Sequence, residues 1–113
     1  MHVVTVDART LFQALADPCR IRILRLLAVT RDECCLCELV DSLLEPEYKV
    51  SRHLKFLKQA GVLTMEREGR FVYHRLVVAP RFMSALHALL RALPDQDTIF
   101  SADLARFRER QRL

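Results

Sequence analysis

Apolar positions recur at three- and four-residue intervals over most of the chain, which predicts a largely helical fold. Residues 7–16, DARTLFQALA, put Leu11, Phe12, Leu15 and Ala16 on one face. Asp17-Pro18 interrupts that stripe as an N-cap and first helical residue. CRIRILRLLA then continues as a second helix, with Ile21, Leu24, Leu27 and Ala28 inward and the arginines outward. After the polar link TRDE, a third helix over about 34–44 carries Leu36, Leu39, Val40 and Leu43 as its buried stripe. Glu45-Pro46 ends it. PEYKVSRHLKFLKQAG forms the fourth helix, with Val50, Leu54 and Leu57 inward and Gly61 as the C′ residue.

The pattern then turns extended. VLTMERE and RFVYHRLVV read as two strands of a hairpin about Glu68-Gly69. PRFMSALHALLRAL returns to helical spacing, with Phe82, Met83, Leu86, Leu89, Leu90 and Leu93 at coiled-coil-like intervals. TIFSADLARFRERQRL is weakly helical and reads as a mobile tail. Helices, then a hairpin, then a further helix make a winged helix-turn-helix: mainly α, with five to six helices and a two-stranded wing. Residues 1–93 are expected to form the winged-helix domain, and 94–113 the C-terminal tail. The fourth helix is the one that enters a major groove.

Composition narrows the function. The 113 residues suit one domain, and two glycines and four prolines are too few for a sandwich or barrel. The longest apolar run, IRILRLLAV, is short of a membrane span and carries Arg22 and Arg25. The first ten residues lack the basic and apolar parts of a secretory signal. The expectation is a cytoplasmic protein with reduced thiols and no membrane partner.

The net charge is +4, yet Lys49 to Arg75 alone holds seven bases against two acids, a net +5. With Val50 inward, Tyr48, Ser51, Arg52 and Lys55 fall on the opposite side of the fourth helix, flanked by Lys49 and Lys58. Exposed lysines on a helix are ordinarily just a solvated face. Arg67 and Arg70 on the hairpin tip favour phosphate neutralisation instead, with Tyr48, Ser51 and Arg52 reaching base edges. His53 lies near the apolar edge, where packing and DNA contact are both open to it. The chain has no Gly-rich phosphate loop and no acid–base constellation, so no enzyme or organic cofactor is expected.

DECCLCELV holds three of the four cysteines, Cys34, Cys35 and Cys37. On an ideal helix Cys34 and Cys37 stand about 60° apart and Cys35 and Cys37 about 160° apart. Gathering all three around one ion therefore requires the first helical turn to unwind. Thiolates select soft acceptors over magnesium or calcium. Cys34 to Cys37 is also formally a C-x-x-C, but no strand is expected before it, which argues against thioredoxin-like chemistry. Cys19 reads as a small buried residue.

The run CLCELVDSLLEPEYKVSRHLKFLKQAGVLTMEREGRFVYHRL resembles the ArsR/SmtB family of winged-helix repressors, and within it the arsenical-sensing ArsR branch. LADPCRIRIL resembles the same family's second-helix entry. The resemblance implies a homodimer on double-stranded operator DNA, paired through the first and last helices and released by an inducer. Leu11, Leu15, Phe82, Leu86, Leu89 and Leu90 suit that pairing, though they suit a plain core equally. It also implies arsenite, As(III), or antimonite, Sb(III), as inducer, with Cys35 and Cys37 as ligands. The family's third cysteine, three residues on, is Val40 here, and Cys34 is the substitute. A thiol-redox or soft-metal signal (Cd, Pb or Zn) is the alternative. The family's zinc site on the last helix is missing its acids, with His87 alone in that helix.

Overall fold

In the computed structural model, which describes residues 7–78, 81–95 and 97–112, Asp17 sets the start of the central helix. Its carboxylate accepts the free amides of Cys19 (2.8 Å) and Arg20 (3.1 Å), and Pro18 needs no partner there. The elements are α1 (Ala8–Ala14), α2 (Pro18–Thr30), β1 (Cys34–Cys35), α3 (Leu36–Leu43), α4 (Glu47–Gln59), β2 (Leu63–Glu68), β3 (Phe71–Leu76), α5 (Phe82–Ala92) and α6 (Ile99–Gln111). The expected start of the fifth helix at Pro80 lies outside the described residues.

Helix α2 is the axis of the core. Ile23, Leu24, Leu26, Leu27 and Ala28 are buried against α4, α5 and α6. Val50, Leu54 and Leu57 of α4 close the core from one side, as their spacing predicts. Gly61 takes φ +81° beyond the end of α4, a conformation that costs glycine little. In the hairpin, Glu68 pairs with Phe71 across the two-residue turn Gly69-Arg70, and Gly69 supplies its positive φ of 62°.

Three expectations are corrected. The wing is three-stranded in the order β1-β3-β2, because Cys34 and Cys35 leave the helix and pair with His74 and Tyr73. The α2 arginines are not turned outward. Arg22 grips Asp103 through Nε (2.9 Å) and Nη2 (2.8 Å), and Arg25 donates to the carbonyls of Leu90 and Leu93. The segment read as a mobile tail is α6, packed on α3 and α2, with Phe107 buried and Asp103 1% exposed. A half-buried arginine on α2 finds its counter-charge there, which local patterning cannot show.

The dimer-face expectation also changes. Leu86 and Leu90 are buried in the chain's own core with Met83, whereas Phe82 and Leu89 are exposed. Leu11 and Leu15 are half-buried, and Phe12, expected inward, is exposed.

Removing one partner of a buried ion pair strands the other charge. Asp103→Ala should therefore cost about 3–5 kcal/mol in urea unfolding, and Arg22→Met with Asp103→Leu much less. A loss under about 1 kcal/mol for Asp103→Ala would mean the pair behaves as a surface one.

Candidate functional site

Two side-chain groups can do chemistry here, a thiol pair beneath the wing and a basic face on α4. The thiols owe their geometry to the point where β1 becomes α3. Cys35 is the N-cap of α3 in an extended conformation (φ −83°, ψ 165°), while Cys37 already belongs to the helix. An extended cap turns its side chain toward the first turn instead of round the helix. The two sulfurs converge to 2.6 Å, in place of the opposed directions expected from a continuous helix. Glu38 completes a capping box, with Oε1 accepting from the Cys35 amide at 3.0 Å.

Cys34 does not join them. It faces the core at 0% exposure, and burial, then Glu38, drive its pKa well above the thiol range. Among the described residues no three His, Cys, Asp or Glu side chains are grouped to hold a metal. The expected three-thiol cluster is thus a converged pair with a third sulfur sequestered in the sheet. The C-x-x-C reading fails for the same reason. Among the described residues no strand precedes the motif; its first two residues are themselves the two-residue antiparallel strand that buries Cys34 in the core. Cys19 is buried, as read.

The pair opens into a cavity of about 620 Å3 between α3, the first turn of α4 and the wing. Leu36, Val40, Met65, Phe71 and Val72 give it apolar walls, and Glu47, Arg70 and His74 also line it. Burial, then the hydrogen bond with Cys37, then Glu38 push the Cys35 thiol up to about 11. His74 is buried, with no partner for Nδ1 among the described residues, and burial, then Lys58, lower its pKa. Spacing did not single out His74; its pairing with Cys34 was invisible until β1 was placed.

On α4, Tyr48 (72% exposed), Ser51, Arg52 and Lys55 project into solvent, and Arg67 and Arg70 do so from the wing. Lys49 is half-buried and tied to Glu45 at 3.1 Å. His53 is removed from this face: it is 7% exposed, between α2 and α4. Arg20 Nη1 lies 3.4 Å from His53 Nδ1, and an arginine only donates, so Nδ1 accepts and Nε2 carries the proton toward Asp17 Oδ1, 3.7 Å away. Burial lowers the His53 pKa, consistent with that neutral form. Arg20 also bonds the Ala14 and Gln13 carbonyls and lies over the Phe56 ring, so His53 is a packing residue.

Comparison with known proteins matches residues 17–64 to the family described as bacterial regulatory protein, arsR family. The arsenic resistance transcriptional regulator ArsR2 of Pseudomonas putida is 36% identical over 94 residues, 83% of this chain and 79% of that protein. The HTH-type transcriptional repressor SmtB of Mycobacterium tuberculosis is 51% identical over 69 residues, 61% of this chain but only half of that relative's length. Among solved structures, HlyU from Vibrio cholerae superposes with a TM-score of 0.65 at 28% identity, covering 74% of this chain and 86% of that one.

Alkylation should follow exposure. Iodoacetamide with peptide mapping should modify Cys37 first and Cys35 more slowly, with Cys34 and Cys19 reacting only after denaturant is added. Labelling of Cys34 in the native protein at the rate of Cys37 would contradict its place in the core.

Proposed function

Because the chain belongs to the arsR family of bacterial regulatory proteins, we propose that it is a transcriptional repressor that binds double-stranded operator DNA as a homodimer and releases it when trivalent arsenic engages Cys35 and Cys37. The observation that carries this reading is the converged thiol pair in a cavity walled by the recognition helix and the wing. An occupant anchored on the sulfurs presses on both DNA-contacting elements at once, biasing their relative position. The relatives named for arsenic resistance support the same inducer.

Proton balance favours a trivalent hydroxide over a divalent cation. Each thiol displaces one hydroxyl of arsenous acid, forming an As–S bond while its proton leaves with that hydroxyl as water, so two sulfurs bind without net proton release. A cadmium or zinc ion must first expel a proton from each thiol, and that of Cys35 is held up to about 11. Antimonite shares the arsenite chemistry. Cys34 becomes a third ligand only by leaving β1, which would break its pairing with β3 and move the wing's base.

Arg52, Ser51 and Tyr48 read bases on this proposal, while Lys55, Arg67, Arg70 and the partly tethered Lys49 neutralise phosphates. Phe82 and Leu89, with Phe12, supply the exposed apolar surface for pairing two copies, in place of the buried Leu86 and Leu90. Two-fold pairing makes the operator palindromic.

Fluorescence anisotropy on DNA from the protein's own promoter should show Arg52→Ala weakening binding by about 1–3 kcal/mol. His53→Ala should instead lower the melting temperature, since its contacts are internal. No complex at low salt would end the repressor reading.

Cys35→Ser and Cys37→Ser should each abolish release by arsenite, whereas Cys34→Ala should keep it. Arsenite affinity should stay flat from pH 6.5 to 7.5, while cadmium affinity climbs by up to about a hundredfold over the same unit, the signature of two expelled protons. Undiminished arsenite release by a Cys35→Ser/Cys37→Ser double variant would refute the thiol site.

A further inference from the structure

Helix α6 touches α3 at the side chains and carbonyl of residues 38, 41 and 42, three positions on one face. Arg106 Nε donates to the Ser42 carbonyl at 2.6 Å, Arg110 Nε pairs with Asp41 Oδ2 at 2.6 Å, and Gln111 Nε2 donates to Glu38 Oε2. Glu38 is buried, and its two oxygens serve different masters: Oε2 answers α6, while Oε1 holds the amide of Cys35. We propose that the Gln111–Glu38 contact is a clamp that keeps Cys35 and Cys37 convergent, making the last turn of α6 a positioning element of the thiol site.

The inference deepens the thiol-pair reading above and rests on it for its inducer arm. The sulfurs meet only because Cys35 stays extended at the N-cap, and the capping box is what ties that backbone to the first turn of α3. A capping glutamate on an open surface exchanges among rotamers. Here one oxygen is pinned by a residue 73 positions away, so the other remains aimed at Cys35. Arg106 on the Ser42 carbonyl and Arg110 on Asp41 fix the height of α6 on α3, which brings Gln111 to Glu38. Gln111 lines a second cavity with Glu38 and Cys35 and not the one that holds both thiols, so its influence on a group bound to the pair runs through those two residues.

Preorganisation matters for a ligand that needs both sulfurs and not for a reagent that needs one. Losing one fixed side-chain orientation should weaken two-sulfur chelation about three- to tenfold. A loosened fold, by contrast, would expose the thiols and speed every reaction together.

The test uses the full chain with Gln111→Ala, Glu38→Ala and Glu38→Gln. Glutamine at 38 keeps an oxygen for Cys35 and an amide for Gln111, so it should restore the clamp. Two reagents separate the cases. Dibromobimane fluoresces when it bridges two thiols, and the early phase of iodoacetamide alkylation reads Cys37, the more exposed of the pair. Bridging of Cys35 to Cys37 and sodium arsenite affinity should both fall about three- to tenfold in the two alanine variants and recover in Glu38→Gln, with Cys37 alkylation within about twofold of wild type. Wild-type bridging in Gln111→Ala would overturn the clamp, as would equal acceleration of alkylation and bridging. If bridging responds as expected but the wild type binds no arsenite, the clamp stands and the inducer assignment fails.

Discussion

A single carboxylate, that of Asp103, decides where four parts of this chain meet. It is withdrawn from water and answered by two guanidinium groups, Arg22 across the core and Arg106 one turn along its own helix. Arg22 uses its remaining donors on the Leu43 carbonyl (2.6 Å) and on Glu45 (3.2 Å), which in turn holds Lys49. One buried charge thus sets α6, the end of α3, the turn between the two helices and the first turn of α4. An uncompensated charge in that position is far more costly than any surface pair, so these parts are fixed as a unit.

The turn so fixed carries its own strain. Leu44 sits in the left-handed region (φ 53°) with its side chain in solvent, where glycine would be the easier choice. Its amide still reaches the Val40 carbonyl, and the Arg22 contacts on either side hold it there. Packing overrides local preference at the bend that orients α4.

Much of this architecture was legible from residue order. The Asp17 cap, the Val50–Leu54–Leu57 stripe, Gly61 and the hairpin all follow from local rules that act within a few residues. Three features were not, and each depends on a partner remote in sequence. A two-residue strand has no period of its own, so β1 emerges only once β3 lies beside it. The arginines of α2 look solvent-facing until Asp103 is placed 81 residues on. His53 sits at the margin of an apolar stripe, and only Arg20 and Asp17 decide its side. The thiols show the same lesson at closer range. Angles on a continuous helix place Cys35 and Cys37 apart, but a cap residue is not helical, and a single ψ of 165° reverses the conclusion.

The division of labour between Cys34 and its neighbours has a consequence for divergence. Since the paired sulfurs come from one cap and one helical residue, they face a cavity whose rim comes from four separate elements. Met65 on that rim is exposed, so a polar side chain there leaves the core untouched, whereas Val40 packs against the core and its exchange would disturb it. The wall of the cavity can therefore vary from the Met65 side while the helix that carries Cys37 stays seated on the core.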